Sequence, residues 1–454
     1  MDVFNRTIKF LGSVVWGPHM VVLILGVGLL FTLALRFVQV RRLALSFRLL
    51  LGKRDYGETS EERLGDISPF QALTTSLAAV VGNGNIAGVC TAIAMGGPGA
   101  VFWMWLSAFF GMATRLVEAV LGQKFKRIAP DGTVVGGPMY YISEGLKLPW
   151  LAAIFAFFMG CKPLFSTTTI QSNSIALALQ TQTGLAPWVT GIGMALLTWL
   201  VIIGGIKSIA KVTEFLSPFM VLLYISGALF TIVIFASKLP HAFFLILAGA
   251  FTPQAISGGV AGATVARAIR YGLARGAYSN EAGTGTAAVF HATARTSEPV
   301  RQGLIASLDV FVDTLVICTL TALTVLVTGV WTEGTSTGMT AAAFNAALPG
   351  IGGFIVAASS FLFGYSSLIA VPYYGEISFS YLFGPWIKKP YRWAFCAVIF
   401  TGAVLEVEVA WSIGDVFNGM MALTNLIGLI GLAALAIKLV KKYLLSINRL
   451  NDFS

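Results

Sequence analysis

The sequence predicts an all-α polytopic membrane protein of about eleven transmembrane helices, on three observations. The chain has 454 residues, of which 56% are hydrophobic and only 11% charged, against roughly 25% charge in a soluble globular domain. Its mean hydropathy is +0.82. Apolar runs of membrane-crossing length recur at approximately 18–37, 69–95, 99–121, 150–178, 187–205, 215–236, 242–260, 302–328, 352–382, 391–410 and 414–438, which we call spans 1 to 11.

Span 1 is longer than a signal-peptide core and no small-residue cleavage site follows it, so it reads as an anchor rather than a removed leader. After it, residues 38–56 alternate Val38, Val40, Leu43, Leu45 and Phe47 with arginines. They suit a helix lying at the interface or, equally, a basic juxtamembrane linker.

Span 2 is the interrupted one. Val80-Val81-Gly82-Asn83-Gly84-Asn85-Ile86-Ala87-Gly88 sets three glycines and two asparagines inside an apolar run. Each Gly costs about 1 kcal/mol of helix propensity relative to Ala. Non-helical backbone at membrane depth survives only when buried in protein or lining a watery cavity. The stretch therefore reads as a break between two half-helices, whose freed carbonyls can coordinate a cation and whose opening N–H groups can hold a carboxylate. A small-residue packing patch is the competing reading.

Span 7 is interrupted as well, by Gly249, Pro253, Gly258 and Gly259. With span 1 set aside, spans 2–6 and 7–11 form two sets of five with opposite entry directions, each opening on an interrupted span. Breaks at corresponding places in inverted halves point to a transporter site. The implied division is 1–66 for the extra helix and basic linker, 67–240 and 241–440 for the two repeats, and 441–454 for a tail.

Charge tests the topology. Almost all of the 30 basic residues fall in loops on one side; the exceptions are Arg6, Lys9 and Lys238 opposite, and Arg115 and Lys162 inside spans. By the positive-inside rule the N-terminus is outside and the C-terminus cytoplasmic, as in a bacterial-type inner membrane. The net charge of +10 is then a topology signal, and nucleic-acid binding is not expected. Cys90, Cys161, Cys318 and Cys396 all lie in apolar runs without metal-ligand spacing and read as core residues.

Polar groups inside spans are the remaining candidates for chemistry. Ser366 and Ser367 in span 9 can add oxygen ligands to a cation held by span 2 carbonyls, or can bond their own preceding turn. Gln171 in span 4 can face a polar substrate or a neighbouring helix, whereas Asn173 reads as structural. Lys162, also in span 4, is expensive unless it faces a cavity, loses its proton or finds a carboxylate. The expected partner is Asp309 or Asp313 of span 8, with no substrate contact; contact with an anionic substrate group, replacement of a bound cation, and snorkelling are the alternatives. Glu118 closes span 3. Neither HExxH, a Ser/His/Asp set nor a Walker loop occurs, so neither catalysis nor an enzymatic cofactor is expected.

Several blocks resemble the alanine/glycine:cation symporter family, the sodium/alanine symporters. They are Val81–Gly88, Gly96-Gly97-Pro98-Gly99-Ala100-Val101-Phe102-Trp103-Met104-Trp105, Gly136-Gly137-Pro138-Met139-Tyr140-Tyr141-Ile142, Ser279-Asn280-Glu281-Ala282-Gly283 and Tyr373-Tyr374-Gly375-Glu376. The resemblance implies a leucine-transporter-type fold of two inverted five-helix repeats preceded by one helix. It also implies uptake of a small neutral amino acid such as alanine or glycine, with Na+ as the coupling cation. Carried over, Asn83, Gly84 and Asn85 would hold the substrate carboxylate. Backbone oxygens near Ala78 and Val81, with Ser366 and Ser367, would hold the cation, and Phe251 to Gln254 would line the side-chain pocket.

The chain departs from the family pattern at four places. Asn83 stands for a usual Thr, Val371 for a usual Trp, Thr167 to Ile170 for a Gly-Ile-Gly-Asn-like run, and Lys162 for a small or apolar residue. Trp to Val removes on the order of 100 Å² of aromatic wall, which makes room for a larger substrate if Val371 lines the pocket. A proton-coupled or cation-independent transporter with Lys162 in place of the ion is the alternative on the same scaffold. A channel and a non-transporting sensor are less well supported, since no span carries a regular polar stripe and no soluble signalling domain is evident. The partners expected are the amino acid, a monovalent cation and the lipid bilayer.

Overall fold

The computed structural model describes residues 2–52, 64–251, 265–332, 334, 336–405 and 408–451, and it is helical almost throughout. Among the described residues, six helices are long and apolar enough to cross a membrane: Ala100–Lys124, Pro149–Gln180, Gly205–Ile234, Pro299–Thr328, Gly352–Phe383 and Val409–Gly431. The bent pair Pro69–Val80 and Asn83–Gly96 adds a seventh, while Pro18–Ala34, Pro187–Ile202 and Ala236–Phe251 are apolar but shorter. These match ten of the expected spans in order, and Lys388–Val404 occupies the place of span 10.

Span 2 starts where local chemistry says it should. Ser68 accepts from the Gln71 N–H at 3.1 Å, the Gln71 side chain accepts from the Ser68 N–H at 3.0 Å, and Pro69 takes the first helical position. Its two halves meet at 62°. The first half is held by polar knots inside the bundle. Ser217 of span 6 donates to the Thr74 carbonyl at 2.7 Å, Thr75 and Thr213 share a 2.8 Å bond, and Ser76 donates to Asp309 of span 8 at 2.6 Å.

Two expectations about boundaries are corrected. Span 7 is described as far as Phe251, and the chain is helical over Val265–Asn280, so Arg267, Arg270 and Arg275 ride on a helix rather than in a loop. A basic residue can occupy such a helix when its stem packs and its charge finds an aromatic face; the Arg275 guanidinium lies 5.9 Å from the Tyr278 and Trp411 rings. Likewise, expected span 11 is two helices, Glu408–Gly431 and Ala433–Asn451, so a boundary at 440 falls within the second. The expected break residues Thr252, Pro253 and Gln254 lie outside the described residues.

Spans 4 and 8 each contain a π-helical segment, Pro163–Thr167 and Phe311–Cys318. Pro163 has no N–H to donate, which opens the ladder in span 4. Such bulges turn polar side chains out of the helical stripe and recur at functional sites. Where span 3 begins, the backbones of Gly99 and Gly249 touch: a Cβ on Gly99 would stand 2.1 Å from the Gly249 carbonyl carbon. The four cysteines are buried, as expected of core residues.

Outside the spans, Lys388 donates to Asp131 at 2.5 Å and ties the Arg127–Ile128/Val134–Val135 hairpin to span 10. Burial raises the Asp131 carboxyl, but the hydrogen bonds from Lys388 and Thr133 outweigh it and pull it down to about 2.

Candidate functional site

The break in span 2 is organised by its two asparagines. Gly82, which in a continuous helix would bond the Ala78 carbonyl, instead donates its N–H to Asn85 Oδ1 at 3.0 Å. The Ala78 carbonyl is thereby released, and Ser366 Oγ of span 9 donates to it at 3.2 Å. Val81 follows in extended conformation (φ −74°, ψ 99°). The asparagine cap thus converts helix carbonyls into available oxygen ligands.

Asn83 joins three spans. Its amide nitrogen donates to Gln171 Oε1 of span 4 at 3.0 Å, and its oxygen accepts from Ser360 of span 9 at 2.5 Å. Gly82 lets them approach: a Cβ there would stand 2.7 Å from Gln171 Nε2 and 3.1 Å from Ser367 Oγ. Gly84 faces the Tyr278 ring, 3.8 Å from where its Cβ would be. Ser366 and Ser367 also bond the Phe363 carbonyl, at 2.9 and 3.1 Å. This is the ordinary behaviour of membrane serines, and Ser366 adds the span 2 contact to it. Ala78, Val81, Asn83, Asn85, Gln171, Ser366 and Ser367 are all buried around the break.

Asn85 reaches into the π segment of span 8. Its Nδ2 donates to Asp313 Oδ1 at 2.6 Å and the Asp313 carbonyl at 3.2 Å, and its own carbonyl accepts from Thr321 at 3.0 Å. Asp313 also accepts from Ser279 at 2.8 Å and Thr314 at 2.7 Å. All three side-chain donors to this carboxylate are neutral.

The expected Lys162–Asp309 or Lys162–Asp313 pair is not formed. Lys162 pairs instead with Glu281, and its ammonium also lies 5.7 Å from the Tyr374 ring. Asp309 is engaged by Ser76 and, at 3.0 Å, by His291, whose other ring nitrogen meets Gln302 at 2.7 Å. Glu281 opens a second unwound stretch, Glu281–Gly285, between Val265–Asn280 and the short helix Thr286–Ala292. Left-handed backbone at Glu281 (φ 50°), Gly283 (φ 92°) and Gly285 (φ 85°) makes the turn, for which glycine carries no steric penalty.

The same stretch is bound to Glu118. Gly283 and Gly285 N–H both donate to Glu118 Oε1 at 3.0 Å, Asn425 donates at 2.7 Å, and Arg115 stands 3.5 Å from the other oxygen. Sequence order places Arg115 and Glu118 in span 3 and Ser279 to Gly283 between spans 7 and 8, so nothing along the chain brings Glu281 and the Arg115–Glu118 pair together. The run Glu281-Ala282-Gly283-Thr284-Gly285-Thr286 has the same glycine-and-polar composition as the first break, and that was the available signal.

One expected pocket residue packs elsewhere. Phe251 is 59% exposed and packs on Phe102 and Trp103, with ring centroids 4.9 and 6.1 Å away. Its position follows from the Gly99–Gly249 backbone contact just before it. Val371 is buried in span 9, one turn beyond Ser367. Asn173 bonds the Leu405 carbonyl at 3.0 Å, a structural role as expected.

Comparison with known proteins agrees with this architecture. The profile of the Sodium:alanine symporter family matches residues 1–452. The chain is 42% identical to the sodium/alanine symporter AgcS of Methanococcus maripaludis over 97% of both chains. It is 38% identical to the putative sodium/proton-dependent alanine carrier protein YrbD of Bacillus subtilis, covering 95% of this chain and 91% of that one. It is 37% identical to the probable sodium/glutamine symporter GlnT of the same organism, covering 97% and 91%. Among solved structures, MhsT in complex with L-phenylalanine superposes with a TM-score of 0.56 at 13% identity, over 83% of this chain and 99% of that one. This likeness shows the leucine-transporter-type fold. The chain belongs to the sodium:alanine symporter family and is a multi-pass membrane transporter, not an enzyme.

Proposed function

We propose that the protein takes up a small neutral amino acid, alanine or glycine, in symport with Na+ by alternating access. The observation that carries this reading is the asparagine-capped break. One short turn offers a released carbonyl oxygen on one side and the bonded Asn83–Gln171 amide pair on the other. Ala78 and Val81 carbonyls with Ser366 and Ser367 supply hard oxygen ligands suited to a small cation. The half-helix beginning at Ala87 turns its N-terminus and positive dipole end toward the break, where a substrate carboxylate gains from it. Gln171, bonded to Asn83, would orient the amino acid.

Coupling then needs no covalent chemistry. A cation on the Ala78 side stabilises the turn that binds the carboxylate, and by linkage the amino acid raises cation affinity by the same factor. In this reading the N-terminus is outside and the C-terminus cytoplasmic, residues 67–240 and 241–440 are the two repeats, and residues 1–66 are an addition. The neutralisation of Lys162 by Glu281 speaks for a coupling ion rather than a fixed ammonium. The relatives include a probable sodium/glutamine symporter, so the test must include a side chain larger than methyl.

The test is uptake of radiolabelled alanine, glycine and glutamine into proteoliposomes, with and without an inward Na+ gradient. Accumulation of alanine or glycine that collapses without the gradient is the expected result. Gradient-independent uptake, or preference for glutamine, overturns the coupling or the substrate part respectively.

A further inference from the structure

Serines inside a membrane helix ordinarily bond a carbonyl of their own preceding turn, as Ser366, Ser367 and Ser378 do in span 9. Ser360, buried in the same span, reaches across instead and donates to Asn83 Oδ1 at 2.5 Å. That one bond sets the sense of a chain of amides. With Oδ1 accepting, Asn83 turns Nδ2 to span 4 and donates to Gln171 Oε1 at 3.0 Å. Gln171 therefore accepts at Oε1, and the end it turns to the break is Nε2, which can only donate. A Cβ on Gly82 would stand 2.7 Å from that nitrogen and 3.1 Å from Ser367 Oγ. The far end of the chain agrees in sense. Ser367 has given its proton to the Phe363 carbonyl at 3.1 Å, so it brings lone pairs to Gly82. The reversed chain would set Gln171 Oε1 beside another acceptor.

Gly364 leaves room for this arrangement. It lies one turn after Ser360, and a Cβ on it would stand 3.0 Å from Asn83 Nδ2 and 2.9 Å from the Ile175 side chain of span 4. Ile175 is fully buried, and a close-packed interior answers an added methyl by displacing a neighbour. The Asn83 amide would be pushed off Gln171. Residues 83 and 364 are thus matched in size, a long amide against a bare backbone.

We propose that Ser360 and Gly364 are positioning residues for the substrate carboxylate. Acting through Asn83, they hold the Gln171 amide with its N–H end in the break. A carboxylate can accept on both oxygens, from Gln171 Nε2 and from the N-terminus of the half-helix beyond the break, whereas a carboxamide accepts on one. The assignment rests on the reading of the break as an amino-acid site.

The experiment has two arms, both on the full chain. In detergent, thermal midpoints are measured for wild type, Asn83→Thr, Gly364→Ala and the double variant. The gain in helix propensity from Gly364→Ala is common to both backgrounds and cancels in the cycle. Gly364→Ala should therefore be better tolerated when residue 83 is Thr, which carries no amide toward residue 364. An equal change in both backgrounds overturns the size match.

In proteoliposomes with an inward Na+ gradient, uptake of radiolabelled alanine, glycine and glutamine is measured first. The amino acid that wild type accumulates is then competed with its unlabelled form and with its α-carboxamide. Ser360→Ala should raise half-saturation about tenfold, leave maximal rate within about twofold and narrow the preference for carboxylate over carboxamide about tenfold, as for one lost hydrogen bond to a charged group. Gly364→Ala should show the same signature, and Ser360→Thr, which keeps the hydroxyl, should restore wild-type values. A loss of maximal rate alone, or an unchanged preference in Ser360→Ala and Gly364→Ala, overturns the proposal and leaves the transport reading in place. If wild type accumulates none of the three, the transport reading fails and the proposal with it.

Discussion

The two unwound stretches in this protein use glycine alike and charge differently. At Glu281–Gly285 the protein supplies its own counterions: Lys162 meets Glu281, and Arg115 meets the Glu118 that also holds two backbone N–H groups. At Gly82–Asn85 the ligands are amides, hydroxyls and a released carbonyl, and the one carboxylate touching it, Asp313, receives only neutral side-chain donors. A stretch that carries its own ion pairs is a fixed joint. One whose oxygens are satisfied by weak, neutral donors can exchange them for a cation and an amino acid. The comparison teaches that backbone irregularity marks both places and that charge balance distinguishes them, which is why we propose the first as the site and the second as a joint.

The largest test of that contrast is Asn85→Ala. It removes the cap on Gly82 and the donor to Asp313, each leaving a buried group unpaired at about 1–3 kcal/mol. Uptake should fall to background while membrane insertion and solubilised yield persist; a well-expressed variant with normal uptake would sink the site assignment.

Next comes the joint. Lys162→Met strands Glu281 and should cost about 3–5 kcal/mol of stability, whereas Lys162→Met with Glu281→Gln should recover most of it. Thermal midpoints of the two singles and the double decide this. If the double remains as unstable as Lys162→Met, the pair is not the source of the loss, and if Na+ dependence disappears with stability intact, the joint is part of the site.

The smallest expected effect sharpens the cation side. Ser366→Ala with Ser367→Ala should raise the Na+ concentration for half-maximal uptake about tenfold, equivalent to about 1.4 kcal/mol, with the ranking of amino acids unchanged. A sodium titration that overlays wild type counts against these hydroxyls as ligands.

Much of this was legible from one sequence because membrane folding obeys a local rule: a backbone in lipid must bond itself, so departures from helix are conspicuous. Glycine and asparagine at 82–85 announced the first break, and the pairing of Asn83 with Gln171 joins two residues that their apolar neighbours had already marked. Apolar length located the spans. The misplaced residues share a different cause. Val265–Asn280 carries three arginines, and hydropathy reads them as loop because it cannot see the rings of Tyr278 and Trp411 that accommodate Arg275. The family resemblance implies that Phe251 lines the side-chain pocket, yet the close Gly99–Gly249 contact carries it to span 3.

Residue type and order thus settle what is expensive and must be compensated: a Lys at 162, aspartates at 309 and 313, glycines inside an apolar run. Which partner compensates each is a question of proximity across more than a hundred residues. Glu281, rather than either aspartate, reaches Lys162 because the left-handed turn at 281–285 brings it there, while Ser76 and Asn85 engage Asp309 and Asp313 from the two sides of the first break. Coulomb attraction is indifferent to sequence distance and steep in spatial distance. The need for a partner is therefore written in the chain, and the choice of partner is made by packing.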